Sequence, residues 1–288
     1  MLKPEVSIIV AVRNGAPWVR GCVESLLALH YPREAVEIIF IDNGSTDASV
    51  EILREFEPRI RILRESRRGP SATRNAGVRA AAGHFVAITD CDCLVHPQWL
   101  TGLLAPLRNA QYAAVGGKIM ARPGAASVEL FGEIIHDHAM AIEYYQPPYL
   151  IGMNMAVGRE LLLSIGLFDE RWIRLEDGDI AIRILKAGGD IGYCRDAIVY
   201  HHHRDTLRGL AREGFLHGYY QPSFAEEHAE FLHAYWNSQP TSPPYRRDDV
   251  MRAEVELMPL QRRIYGRLFN SAKRLGGFVG RRWAPRVC

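Results

Sequence analysis

Among all stretches of this chain, Phe85-Val86-Ala87-Ile88-Thr89 most narrows what it can fold into. The run is almost wholly apolar, carries β-branched members and is bounded by Gly83 and by acids, which suits a strand buried on both faces of a parallel sheet. Asp90-Cys91-Asp92-Cys93 then follow at its carboxyl end. In open α/β sheets that edge is where ligands bind, and two carboxylates one residue apart can hold a hard divalent cation against phosphate oxygens. Aspartate is also common where strands turn, and for a lone D-x-D the turn is the commoner meaning. The rest of the chain has to discriminate.

Its flanks repeat the pattern. Residues 6–12 (VSIIVAV) read as a first buried strand, followed by Arg13-Asn14-Gly15 as a turn and a helix over about 16–29. Residues 36–41 (VEIIFI) form a second strand, with Ser45 or Thr46 expected to cap a helix from about 47 to 56. Residues 61–63 give a weaker third strand, and Ser71 is expected to cap a helix through Ala82. Helices alternating with strands up to Asp90 predict an α/β fold with a parallel, doubly wound sheet. No G-x-G-x-x-G follows the first strand, which argues against a dinucleotide fold. Beyond it, the pattern predicts a helix over 97–107 with Pro97 in its first turn, an apolar run over 112–120 interrupted by Gly116-Gly117, where the backbone approaches a ligand or bulges, strands at 152–157 and 198–200, and helices at 180–187 and 207–220. Asn237 to Pro244 reads as a linker.

Composition removes several classes. A chain of 288 residues makes one large or two small domains, and 35 basic against 33 acidic side chains, a net charge of +2, give no overall field for nucleic acid. No apolar run approaches the roughly 20 residues that span a bilayer, and no charged n-region precedes an apolar core at the N-terminus. Together with an odd five cysteines in no framework-like spacing, this points to a cytoplasmic protein with reduced thiols.

Other polar residues stand where chemistry is done. Asp42 ends the second strand on the same edge as Asp90, as a ligand of a nucleotide or as a turn acid; the residue alone does not decide. Arg74 falls in the first turns of a helix, where cations are unfavourable by a few tenths of a kcal/mol unless an anion lies opposite. Glu176 and Asp177 head the apolar, inward face of their helix, whereas Asp179 pairs with Arg183 at i, i+4 on its outside. His136-Asp137-His138 invites a metal, but without a matching partner cluster a solvated or hydrogen-bonded histidine pair is the simpler account. Of His201-His202-His203, one imidazole can complete a cation's shell. Zinc held by Cys91, Cys93 and this run lacks a second C-x-x-C element. From Gln261 onward the chain has Arg262, Arg263, Arg267, Lys273, Arg274, Arg281, Arg282 and Arg286, and no acid. Ile264, Leu268, Phe269, Ala272 and Leu275 recur between them at helical spacing, suiting either an anionic membrane surface or packing back on the domain.

In order and spacing, Arg13-Asn14-Gly15, Ile41 to Asp47, Gly69 to Asn75, Asp90-Cys91-Asp92 and Glu176-Asp177 resemble inverting glycosyltransferases of family 2. The resemblance covers about residues 4–205. It implies a glycosyltransferase-A fold, a mostly parallel Rossmann-like sheet flanked by helices. It also implies a catalytic domain over about 1–220, with a nucleotide half to about 110 and an acceptor half after it; residues 221–288 make a helical, basic extension. By resemblance, Asp42 and Arg74 contact the nucleotide base, Ala11 and Arg13 line its pocket, and Cys91 sits in the same nucleotide site. Asp90 lies against the ribose and shares with Asp92 and His201 the holding of Mn2+ or Mg2+. Asp177 is the catalytic base with Glu176 beside it, and Gly152 and Asn154 lie near the donor sugar. Ala11 replaces a frequent Pro, Arg13 a frequent Tyr, and Arg67 stands where Asn is usual. The implied partners are a nucleoside-diphosphate sugar, a UDP-sugar first among them, and a glycan, lipid-linked or other hydroxyl acceptor. The implied place is the cytoplasm, at the inner face of the membrane if the basic C-terminus touches lipid. A nucleotidyltransferase and an inactive membrane scaffold are the competing functions. The former usually needs a glycine-rich basic loop after the first strand, which Arg13-Asn14-Gly15 does not supply.

Overall fold

The computed structural model describes residues 3–238 and 257–283. Eight strands form one sheet: β1 (Val6–Val12), β2 (Val36–Asp42), β3 (Arg61–Arg64), β4 (Phe85–Asp90), β5 (Cys93–Val95), β6 (Ala114–Ala121), β7 (Asn154–Gly158) and β8 (Ile191–His201), in the spatial order β3-β2-β1-β4-β7-β6-β8-β5. The half built from β3, β2, β1 and β4 is parallel throughout. β7 then runs antiparallel to both β4 and β6, β8 lies parallel to β6, and β5 closes the far edge antiparallel to β8. Register explains the shared edge: Ala11 sits beside Asp90, and Val12 beside Asp42.

Two cores sandwich the sheet, as the continuous apolar runs require. Ile8 and Val10 of β1 point to one layer, packing with Val23 and Leu26 of α1 (Val19–Leu27) and Leu100 and Leu103 of α4 (Trp99–Arg108). Ile9, between them, faces the other layer with Val78 of α3 (Pro70–Ala80) and Ile180 and Ile184 of α7 (Glu176–Lys186). The period of two along a strand produces this division.

Among the described residues the remaining α-helices are α2 (Ser49–Arg54), α5 (Ser127–Ile135), α6 (Arg159–Ser164), α8 (Leu207–Glu227), α9 (Ala229–Ser238) and α10 (Pro259–Trp283). Helix ends depart from expectation where side chains serve other partners. Ser45 and Thr46 do not cap α2; the Ser45 hydroxyl accepts from Asn14 N, and Thr46 N donates to the Asn14 side chain. Ser71 does not cap α3 but donates to the Trp172 carbonyl, and Gly69 takes the cap position with φ 123°. Asp179 does pair with Arg183, at 2.7 Å, yet it is buried rather than outward, because His228 Nε2 closes over its other oxygen at 3.1 Å. The final strand runs from 191 to 201 rather than 198–200, and α8 extends past Tyr220. Most of the expected linker, residues 239–244, and Arg286 lie outside the described residues.

Helix α10 lies along α8 at backbone contact. A Cβ on Gly218 would stand 1.9 Å from the Lys273 carbonyl oxygen, and one on Gly276 2.0 Å from that of Phe215. Glycine four residues apart on each helix (Gly214 and Gly218, Gly276 and Gly280) opens this approach, as small residues do wherever helices meet closely. Phe269 and Leu210 fill the seam with Phe131 of α5.

Candidate active site

A cavity of about 1100 Å³ opens at the carboxyl edge of the parallel half. Its walls include Ala11, Arg13, Arg74, Asp90, Asp92, Gly152, Glu176, Asp177 and His201, so residues up to 190 positions apart are brought together as expected. Helices α8 and α10 supply a further wall through Glu213, His217, Arg262 and Lys273, among others.

Arg74 organises the acids. Its guanidinium is almost fully buried and donates to Glu176 Oε1 at 2.7 Å and to Asp90 Oδ1 at 3.1 Å. Burial alone would depress its pKa, but the surrounding carboxylates of Asp90, Glu176 and Asp177 outweigh that and raise it. The anion demanded by an arginine early in a helix is therefore a pair of protein carboxylates. Glu176 feels burial first and the charge of Asp177 second, and its carboxyl is raised in spite of Arg74. Asp177 differs: its oxygens accept from Gly152 N at 3.1 Å and Gly178 N at 2.9 Å, and it faces the cavity. Leu175, just before both acids, adopts φ 66°, a left-handed conformation that costs a non-glycine residue on the order of 1 kcal/mol and is found where a site demands it. Gly152 is required for close approach, since a Cβ there would meet Arg74 Nη2 at 2.9 Å.

The Asp92 carboxylate sits 3.5 Å from His201 Nε2. Burial opposes its ionisation, yet the His201 ring and Arg204 hold its carboxyl below the ordinary value. His201 Nδ1 meets His203 Nδ1 at 3.0 Å. Cys93 Sγ belongs to the same cluster of potential ligands, but burial drives its thiol well upward, and Cys91 is turned against Gly15. Asp90, expected to share the cation, is bound to Arg74 instead of joining that cluster.

Three expected residues do not line the cavity. Asp42 accepts from Ser45 N at 3.0 Å in a turn, and the neighbouring Asn43 stands at the cavity wall in its place. Asn43 shapes that rim by donating to the carbonyls of Glu65 and Arg67 and accepting from Gly69 N. Cys91, half-buried, is turned away from it by the packing just described. Asn154 is fully buried with its amide wholly spent: Oδ1 accepts from Trp99 Nε1, and Nδ2 donates to the carbonyls of Lys118 and Ala197. It pins three strands together and has no atom left for a sugar.

Sequence reasoning passed over Glu213 and His217. Their spacing of four residues on a helix was a usable signal, since it puts both on one face.

Residues 7–165, more than half of the chain, match the family described as Glycosyl transferase family 2. The chain belongs to that family. Among relatives of this transferase, AglE of Haloferax volcanii is 25% identical over 203 residues, 69% of this chain and 67% of AglE. The pre-mycofactocin glycosyltransferase of Mycobacterium tuberculosis is 27% identical over 227 residues, 74% of this chain and 46% of that protein. The chain thus spans about two thirds of the length of the first and under half of the second. Of solved structures, mannosyltransferase PcManGT from Pyrobaculum calidifontis, in complex with GDP-Man and Mn2+, aligns at a TM-score of 0.65 and 20% identity, covering 96% of this chain and 88% of that one. Staphylococcus aureus TarS in complex with UDP-GlcNAc aligns at 0.55 and 17%, covering 73% and 65%. These likenesses establish the glycosyltransferase-A fold for the family 2 chain, including, in PcManGT, nearly its whole length.

Proposed function

We propose that this family 2 transferase moves a sugar from a nucleoside-diphosphate sugar to an acceptor hydroxyl in one in-line displacement with inversion. The observation that carries the reading is the division of labour between adjacent acids. Glu176 is tied to Arg74, whereas Asp177 is anchored by the backbone N–H groups of Gly152 and Gly178 and presents its carboxylate to the cavity. In this reading Asp177 takes the proton from the acceptor hydroxyl as that oxygen attacks the anomeric carbon. General-base help of this kind contributes about 10²- to 10⁴-fold. Arg74 holds Asp90 and Glu176 in place, and Asp90, at the end of β4, orients the nucleotide's ribose.

The donor set at Asp92 fits a divalent cation: a carboxylate oxygen and an imidazole nitrogen 3.5 Å apart at a cavity wall suit Mn2+ or Mg2+. Asp92 and His201 would hold the ion, with Asp90 beside them. When bound it would supply Lewis-acid neutralisation of the departing diphosphate. The GDP-Man of the PcManGT complex and the UDP-GlcNAc of the TarS complex make those two donors the first to try, with UDP as our preferred nucleotide. The acceptor is a glycan, a lipid-linked sugar or another hydroxyl compound.

We place the enzyme at the cytoplasmic face of a membrane, held there by the outer side of α10. That side exposes Leu260, Ile264, Leu275 and Phe278 beside Arg263, Arg267, Arg274 and Arg281, an amphipathic arrangement suited to anionic headgroups. No described helix is long and apolar enough to cross a membrane.

Incubation with a panel of sugar nucleotides and Mn2+ tests the reaction. Release of nucleoside diphosphate, with the product anomer opposite to the donor's by NMR, is the expected result. Pyrophosphate released from a nucleoside triphosphate and a sugar phosphate would overturn it in favour of nucleotidyl transfer.

A further inference from the structure

His136 closes α5, and its surroundings leave one of its ring nitrogens with an electrostatic problem. Nδ1 lies 2.9 Å from the Gly132 carbonyl oxygen, which can only accept, so Nδ1 carries the hydrogen. In the neutral ring Nε2 is then a lone pair, and it points at Glu213 Oε1, another acceptor, 3.3 Å away. Two acceptors at that distance require a proton or a cation between them. His217, one turn beyond Glu213 on α8, brings a third ligand atom, and all three lie within 4.8 Å of one another.

We infer that His136, Glu213 and His217 form a second metal site that takes Zn2+, separate from the Asp92 and His201 pair. Around a tetrahedral zinc with bonds of roughly 2.0–2.1 Å, neighbouring ligand atoms stand about 3.3 Å apart, the spacing His136 and Glu213 already have. Two imidazoles and one carboxylate are a set that favours zinc over magnesium or manganese. The carbonyl behind His136 fixes its tautomer and orientation, as outer partners of metal-bound histidines do. Glu213 Oε2 faces Arg204 Nε at 3.9 Å, which leaves Oε1 for the ion. All three residues line the cavity, so a fourth position opens toward it. His138, the other member of the sequence pair, takes no part: it is bonded to the Gly117 carbonyl and to Ile151 N. Bound zinc would tie the end of α5 to α8 and set the width of the cavity between them.

The neighbouring site is close, the His136 and His201 ring centroids being 6.1 Å apart, so the experiment must tell the two apart. Metal-free full-length protein is titrated with Co2+, followed by its visible absorption, and the Co2+ is then displaced with Zn2+. We expect a tetrahedral-type band that Zn2+ abolishes, that persists in Asp92→Ala, and whose Co2+ affinity falls at least about ten-fold in His217→Ala and in Glu213→Gln. His217→Gln, checked by circular dichroism, serves if the alanine variant does not fold. A band unchanged in the His217 and Glu213 variants, or lost in Asp92→Ala, overturns the inference. So does the absence of any band, which would leave only a proton between His136 and Glu213. None of these outcomes bears on sugar transfer, which is read separately from nucleoside diphosphate release.

Discussion

At the residue scale the site turns on which carboxylate is free to act. Replacing Asp177 by Asn keeps its size and the Gly152 contact while removing the proposed base. Turnover should fall about 10²- to 10⁴-fold with the donor KM nearly unchanged, and steady-state kinetics would show the split. Glu176→Ala acts differently, leaving Arg74 buried with only Asp90 as partner. Losing half of a buried charge pair costs on the order of 3 kcal/mol, visible as a drop in urea midpoint. The acids were legible in the sequence because each ends a strand or opens a helix on a foreseeable face. Their partners were not. Arg74 invited an anion, but nothing along the chain says that Glu176, 102 positions away, supplies it. Asn154 was misjudged for the same reason: an amide beside a glycine reads alike whether it meets a ligand or the Trp99 indole and two carbonyls.

At the scale of elements, the strands of the parallel half were readable because burial on both faces writes an unbroken apolar run. The amphipathic α10 was readable too, with its destination left open between lipid and protein. The structure shows one face packed on α8 and the other exposed, so the two alternatives are compatible. What periodicity could not convey was the role of glycine, which leaves no side chain to count. Gly218→Val forces a methyl-bearing carbon against the Lys273 carbonyl and should cost about 1–3 kcal/mol or more. Differential scanning fluorimetry, with limited proteolysis of α10, would register it. If the variant melts like the parent, the close helix contact is not a source of stability.

For the whole molecule, pH and surface charge are the accessible levers. His138 is buried and neutral, burial pushing its pKa down from 6.5 to about 3, and both ring nitrogens are spoken for. Between those values the unfolded chain binds a proton that the folded chain refuses. The stability this residue contributes is therefore complete above pH 6.5 and lost as pH falls below it, by about 1 kcal/mol per pH unit. Urea titrations at pH 7, 6 and 5 should show that slope, and His138→Gln should flatten part of it. Anionic liposomes should float the full-length chain in low salt and release it as ionic strength rises; removal of residues after Gln261 should abolish flotation.

Helix α10 lies nearly a hundred residues past the segment that matches the family, 7–165, yet it forms part of the chamber around Asp177. A fragment trimmed to residues 7–165 would keep Arg74, Asp90 and Asp92 and lose Glu176, Asp177 and His201 together with the wall that α8 and α10 supply. The boundary of the family match and the boundary of the working vessel do not coincide, and the helices beyond the match give this enzyme room for preferences of its own.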